Sequence, residues 1–521
     1  MKQLDTQLMH PTDQITVIIG RIYRSGMTTT SGGNISIRDE NGNIWITPSG
    51  VDKGSLTAKD IVCIKPDGTV SGVHKPSSEL PFHKAIYEAR PELTAVIHAH
   101  PPGLVAFSIA RQVPNTNIVP QARYICGEIG YARYGCPGSK DLGAKIAEVF
   151  ANPRFKAVIM ENHGVVLGGT DLMDAYQRFE TLEFCCRTIV NAHTLGNVNT
   201  LTDQQIASYQ TAIPKNIAHF MDVDYPSDER ALRSDMVRII RRACDQGLMI
   251  STYGTVSVRW RGDDFLITPR DVARWDITPS DIVQIRQGMA EAGKVPSRSV
   301  ALHQRIFQLN PHINSIISTQ PVNLMAHAVS GKKFDVRTIP ESWIFLQDVP
   351  SIPFGNLYNA VDDVAGMFAD NRAILVENDC VFVTGDKLLS TFDYLEVAEF
   401  SANSLVMASS GSSTSCLPSS FTLLAQPFQG SMQTKLSASC CHSTAWSKLS
   451  SASTVTLWPL PLSVRVMGNC TPVSRRTLLS APSLRVRVIF SGAAGCSPLA
   501  LSEQVAHLIS KSTFSSLEAL K

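Results

Sequence analysis

GNISIRDENGNIWITPSG at residues 33–50 is answered by GTVSVRWRGDDFLITPRD at residues 254–271. The offset of 221 persists through KDIV (59–62) and SDIV (280–283). It becomes 220 at PSSELPFH (76–83) against PSRSVALH (296–303), and at HAHP (98–101) against STQP (318–321). ENHG (161–164) then meets ENDC (377–380) at offset 216, and both copies continue into stretches ending LEF at Phe184 and AEF at Phe400. A chance alignment does not keep its offset over five blocks while shedding a few residues in one loop, so the chain reads as a duplicated domain.

Within each copy, short β-branched runs (Trp45–Thr47, Thr94–His98, Lys156–Met160) alternate with helical stretches. Asp171–Val190 carries apolar residues at helical spacing, and its equivalent begins near Asp386. Each copy is therefore expected to be an α/β domain, a sheet covered by helices. The expected divisions are a first domain at 1–195, a linker at 196–228 punctuated by Pro214 and Pro226, a second domain at 229–409 and a tail at 410–521.

The 521 residues are 44% hydrophobic and 18% charged, which excludes a wholly disordered chain. The net charge of +2 hides an asymmetry. Residues 411–521 hold 24 Ser, five of the 12 Cys, nine basic and two acidic residues, leaving 38 basic against 43 acidic in residues 1–410. The tail reads as an irregular Ser-rich extension, either disordered or aberrant, such as the product of a reading-frame change after residue 409. No stretch reaches the ~18 apolar residues of a membrane span, and the N-terminus has no secretory or transit pattern. The expectation is a cytoplasmic protein with reduced thiols, binding neither nucleic acid nor membrane.

Chemistry concentrates in the first copy. In TAVIHAHPP, the period of two puts His98 and His100 on one strand face, close enough to share a cation. His163 follows the run KAVIMEN, and Gly164 behind it allows a turn that aims a third imidazole at the pair. Three histidines with an open fourth position make a catalytic rather than a structural metal site. Glu79, at the start of a helix capped by Ser77 or Ser78, is the candidate acid/base and a possible fourth ligand. Its ordinary role there is to meet the helix dipole. Gly33–Asn34, Ser49–Gly50 and Ser77–Ser78 offer backbone and hydroxyl donors for an anion, although each segment alone is also an ordinary turn.

The ordered set GGNIS, ITPSGV, KPSSE, FH, HAHP and NHG resembles the class II aldolase/adducin family over residues 14–195. The family includes L-fuculose-phosphate aldolase, L-rhamnulose-phosphate aldolase and L-ribulose-5-phosphate 4-epimerase. The resemblance implies an α/β/α fold around a largely antiparallel sheet. It implies that His98, His100 and His163 hold zinc or another divalent cation, with Glu79 as proton donor and acceptor. Gly33, Asn34, Ser49, Gly50, Ser77 and Ser78 match positions that hold a sugar phosphate, and Tyr124 matches a tyrosine that protonates the aldehyde oxygen. The implied reaction is aldol cleavage of a ketose phosphate through an enediolate. Epimerisation, dehydration or decarboxylation on the same metal are alternatives, as is a non-catalytic adducin-like interaction protein. Glu at position 79 matches aldolases and dehydratases, whereas epimerases carry Asp.

In the second copy, Glu79, His98, His100 and His163 are answered by Ser299, Ser318, Gln320 and Asp379. Asn34 is answered by Thr255, and Ser49–Gly50 by Arg270–Asp271, so ligands, acid/base and anion pocket are lost together. His303 survives opposite His83, which suggests that both pack or cap rather than catalyse. The family's rings imply that the second copy replaces a neighbouring subunit and walls the first copy's site, two chains making a four-domain ring.

Overall fold

The structure is a computed structural model, described for residues 8–212 and 217–411; beyond residue 411 only the backbone of short strand segments is described. Contacts divide the chain between Ser410 and Gly411. The expectation for the tail therefore falls outside the described residues.

The first copy is built on eight strands: β1 (Asn34–Arg38), β2 (Ile44–Ile46), β3 (Val62–Ile64), β4 (Val70–Ser71), β5 (Ala95–Ala99), β6 (Glu128–Ala132), β7 (Phe155–Met160) and β8 (Gly164–Gly169). They form one sheet in the order β4-β3-β2-β1-β5-β8-β7-β6, in which only β6 and β7 run parallel. Its helices are α1 (Pro11–Arg24), α2 (Leu80–Ala89), α3 (Pro102–Ala110), α4 (Pro120–Cys126), α5 (Lys140–Phe150) and α6 (Leu172–Leu195).

Alternation along the strands sorts the core. Ile35 and Ile37 of β1, with Ala95, Ile97 and Ala99 of β5, pack into the cluster that holds α1 and α6. In α1, Ile15, Ile18, Ile19 and Ile22 recur at helical spacing and are all buried. Val96 of β5 faces the other way, into the cluster with Phe82 and Ile86 of α2 and Leu142 and Ile146 of α5. Helices thus cover both faces. The same alternation leaves Asn34, Ser36 and His98 on the α2 face. In β1 and β5 the register pairs Asn34 with His98.

Helix ends follow local chemistry. Pro11 opens α1, where a missing N–H costs nothing, and Asp171 caps α6 by accepting from Asp174 N–H at 2.7 Å.

The linker contains α7 (Asp203–Thr211), β9 (His219–Phe220) and the start of α8 (Ser227–Asp245). The second copy repeats the plan with β10 (Thr255–Arg261), β11 (Asp264–Ile267), β12 (Val283–Arg286), β13 (Met289–Glu291), β14 (Ser315–Thr319), β15 (Ser351–Ile352), β16 (Ala373–Val376) and β17 (Cys380–Gly385). Their sheet order is β15-β16-β17-β14-β10-β11-β12-β13-β9. Its helices are α9 (Val300–Leu309), α10 (Val322–Ser330), α11 (Pro340–Leu346), α12 (Asn356–Asn359), α13 (Val361–Met367) and α14 (Leu388–Gly411). Parallel pairing is confined to β9–β13 and β15–β16 at the rims. Each copy is therefore an α/β/α layer structure around a largely antiparallel sheet.

The copies share one continuous apolar cluster, with α6 against α10. Polar contacts fix the seam: Asn378 Nδ2 donates to Ile118 O at 2.8 Å, Glu180 Oε2 accepts from Ser251 N–H at 3.1 Å, and the Arg21 guanidinium lies 4.6 Å from the Trp275 ring. No helix among the described residues is long and apolar enough to cross a membrane.

Candidate metal and acid–base site

His98 lies on β5 with its ring against Phe82 of α2, edge to face at 5.5 Å. Its Nδ1–H donates to Val165 O at 2.8 Å, which leaves Nε2 as the nitrogen with the lone pair. His100 lies just past the strand end, and His163 in the β7–β8 turn, where Asn162 has φ +54°. Ser108 fixes that turn by accepting from His163 N–H at 2.9 Å through its hydroxyl. Gly164 is required beside it, because a Cβ there would lie 2.8 Å from both Ala99 O and the His100 ring.

Ring centroids of the three imidazoles are 4.6–5.1 Å apart, and their ligand atoms lie within 4.8 Å of one another. Tetrahedral zinc–nitrogen bonds of about 2.1 Å put two ligands of one ion roughly 3.4 Å apart, so the most widely separated pair must close by about an ångström or a little more. Buried His98 Nε2, His100 Nε2, His163 Nδ1 and Glu79 Oε1 have no hydrogen-bond partner among the described residues. Such a concentration of orphaned donor atoms fits a divalent cation. Burial, reinforced by the neighbouring imidazole of His98, pushes the His100 and His163 imidazoles down to about 4, keeping both neutral and able to ligate near pH 7.

Glu79 immediately precedes α2, with its N–H given to Ser77 Oγ at 3.3 Å. Oε2 is 3.1 Å from His98 Nε2 and Oε1 is 3.4 Å from His163 Nε2. Burial disfavours charge on this carboxyl, but His98, Asn34 and His163 outweigh it and hold it well below the usual carboxylate range. Asn34 Nδ2 donates to Oε2 at 2.7 Å.

The anion-binding candidates assemble around this carboxylate. Ser49 N–H donates to Lys75 O at 3.0 Å and Ser77 N–H to Thr47 O at 3.1 Å, so the Thr47–Gly50 turn lies beside Ser77 and Ser78. Gly33 has φ +72°, and a Cβ there would lie 2.8 Å from His98 O. Tyr124 is placed differently. It is exposed on α4.

Three residues stand behind Glu79: His83, expected from the sequence only to pack or cap, and Ser36 and Tyr87, which the sequence did not single out. His83 Nε2 meets Asn34 Oδ1, His83 Nδ1 is 2.7 Å from Ser36 Oγ, and Ser36 Oγ is 2.7 Å from Tyr87 Oη. The signal available was position 87, where the second copy has Phe307.

The second copy's pocket is filled by protein. Arg298, answering Ser78, stacks 3.2 Å from the Tyr209 ring centre and donates to Tyr358 Oη at 2.8 Å. Gln121 of α4 donates to the Tyr209 hydroxyl, and Gln320 Nε2 to Asp379 O at 2.5 Å. The remaining cavity of about 50 Å³ has room for a water or two, not for a sugar phosphate. Within one chain, therefore, Gln121 of the first copy and Tyr209 of the linker line the second copy's pocket.

A family model described as class II aldolase and adducin N-terminal domain matches residues 13–190 and 234–406. A 3-oxo-tetronate 4-phosphate decarboxylase from Haemophilus influenzae is 36% identical over 177 residues, 33% of this chain and 82% of that protein. An L-fuculose phosphate aldolase from Methanococcus maripaludis is 36% identical over 162 residues, 31% of this chain and 86% of that protein. Among solved structures, YgbL from Escherichia coli, titled a putative aldolase/epimerase/decarboxylase, is 28% identical with a TM-score of 0.35, covering 38% of this chain and 96% of that one.

Proposed function

The chain belongs to the class II aldolase and adducin N-terminal domain family, twice over, and from that premise we propose that its first copy is a metal-dependent carbon–carbon lyase acting on a phosphorylated sugar. The observation that carries this reading is the cluster of His98, His100 and His163 with the unpartnered Glu79 Oε1 beside it. Those three imidazoles would hold zinc or another divalent cation, with Glu79 as a fourth ligand until substrate arrives. A bound cation supplies Lewis-acid stabilisation of negative charge on the substrate's carbonyl and hydroxyl oxygens.

The chain's own groups do the rest. Gly33, Asn34, Ser49, Gly50, Ser77 and Ser78 bind the phosphate and place the carbon chain over the histidines. Cleavage of the bond next to the carbonyl sends its electron pair towards the carbonyl oxygen, giving an enediolate. In the aldol form, Glu79 as a carboxylate takes the proton that the departing carbon's hydroxyl gives up, and Oε1 returns it to the nucleophilic carbon of the enediolate. An aldehyde leaves in the aldolase form of this reaction. The similarity to a 3-oxo-tetronate 4-phosphate decarboxylase favours a second form, in which a 3-oxo acid loses carbon dioxide to give the same type of enediolate, protonated at carbon with a proton drawn from solvent.

Two chains are proposed to close a four-domain ring. Phe184 on α6 is 4% exposed against α10, whereas its repeat counterpart Phe400 on α14 is 67% exposed. Val329 on α10 is fully buried, and its counterpart Ile109 on α3 is 63% exposed. The faces that join the copies thus recur unpartnered at the outer ends, where a second chain would cover them and lay its α11 by the first copy's site.

The test is turnover by the full chain with zinc against phosphorylated ketoses and phosphorylated 3-oxo acids, scoring aldehyde and carbon dioxide separately. Release of either, abolished in Glu79→Gln, supports the reading. Inertness towards both classes with metal bound refutes it.

A further inference from the structure

The polar contacts behind Glu79 have a single consistent direction. A carboxylate only accepts hydrogen bonds, so Asn34 must present its NH₂ to Glu79 Oε2, as the 2.7 Å contact requires. Asn34 Oδ1 then faces His83 Nε2, which must carry the hydrogen. Fully buried, His83 is neutral, so Nδ1 is an acceptor and Ser36 O–H donates to it at 2.7 Å. Ser36 Oγ accepts in turn from Tyr87 O–H, 2.7 Å away. With the other His83 tautomer, two lone pairs would oppose each other at Asn34. The amide could relieve that only by turning its oxygen towards the Glu79 carboxylate.

The second copy supplies a control within the same molecule. Ser257 Oγ still meets His303 Nδ1 at 2.7 Å, so the serine–histidine pair packs without help. Both ends of the chain of bonds are gone: Phe307 stands for Tyr87, and Thr255 for Asn34. Thr255 Oγ1 turns to Ser297 Oγ at 2.6 Å, and His303 Nε2 has no hydrogen-bond partner among the described residues. The connection is missing where there is no carboxylate to hold.

We propose that His83 is a positioning residue. Through Asn34 it fixes the Glu79 carboxylate, tying down Oε2 and leaving Oε1 as the oxygen that exchanges protons. The inference rests on the reading of Glu79 as the proton carrier.

The test uses the full chain. With ¹⁵N-labelled histidine, the His83 signal, identified by its absence from His83→Gln, is expected to show a protonated Nε2 and a bare Nδ1. Ser36→Ala, which removes the donor to Nδ1, is expected to lower kcat about tenfold with KM within threefold and bound metal unchanged. Ser36→Thr, which keeps the hydroxyl, is expected to stay within twofold of wild type. A protonated Nδ1, an unchanged kcat in Ser36→Ala, or parallel loss of kcat, KM and metal overturns the proposal. Wild-type protein inert towards every substrate defeats the reading of function instead, and the tautomer still decides whether the chain of bonds exists.

Discussion

Asn34 of β1 is the direct register partner of His98 of β5. One strand pairing therefore places both the amide that holds Glu79 and the imidazole 3.1 Å from it. In the second copy the same register pairs Thr255 with Ser318, so the scaffold persists after its chemistry has gone. The difference between the copies therefore resides in side chains at fixed register positions.

Glu79→Gln preserves the shape of the site and its contact with Asn34 but cannot carry the proton. Steady-state kinetics should record a fall in kcat of about 10²–10⁴-fold. Metal content should remain near the wild-type value, because three imidazoles still hold the ion.

The two phenylalanines related by the repeat should respond oppositely. Phe184→Ala opens a cavity in the seam between the copies and should cost about 3–5 kcal/mol in urea unfolding. Phe400→Glu alters an exposed position and should leave single-chain stability nearly unchanged. Sedimentation should instead show that it separates the paired chains. Paired Phe400→Glu chains would argue against the ring.

His303 gives the second copy a defined acid sensitivity. Burial pushes its imidazole down to about 3, whereas the unfolded chain takes up a proton near 6.5. The unfolded state binds more protons between these values. Stability is therefore complete above pH 6.5 and lost as pH falls towards 3, at about 1.4 kcal/mol per pH unit. Urea unfolding at pH 7 and pH 5 should differ by about 2 kcal/mol from this residue alone. His303→Phe should remove that part of the slope.

Much of this was legible in the sequence because of how strands and repeats work. The period of two in TAVIHAHPP put His98 with His100, and the repeated blocks defined two α/β domains before any coordinates. What stayed hidden depends on long-range packing. Survival of His303 opposite His83 suggested that both merely pack, and the second copy bears this out for His303. For His83 the decisive contact, Asn34, lies 49 residues away in sequence. Tyr209 belongs to a polar linker, and no local pattern says that it stacks on Arg298, 89 positions later. Nor does spacing from His100 reveal that Tyr124 is exposed on α4.

The central claim is that three imidazoles of the first copy share one ion and that the second copy holds none. Elemental analysis of zinc-reconstituted, desalted full-length protein tests it most directly. The expected result is one equivalent per chain in wild type and less than about a tenth in His98→Ala. An absence of metal from wild type, or one equivalent retained in His98→Ala, would contradict it.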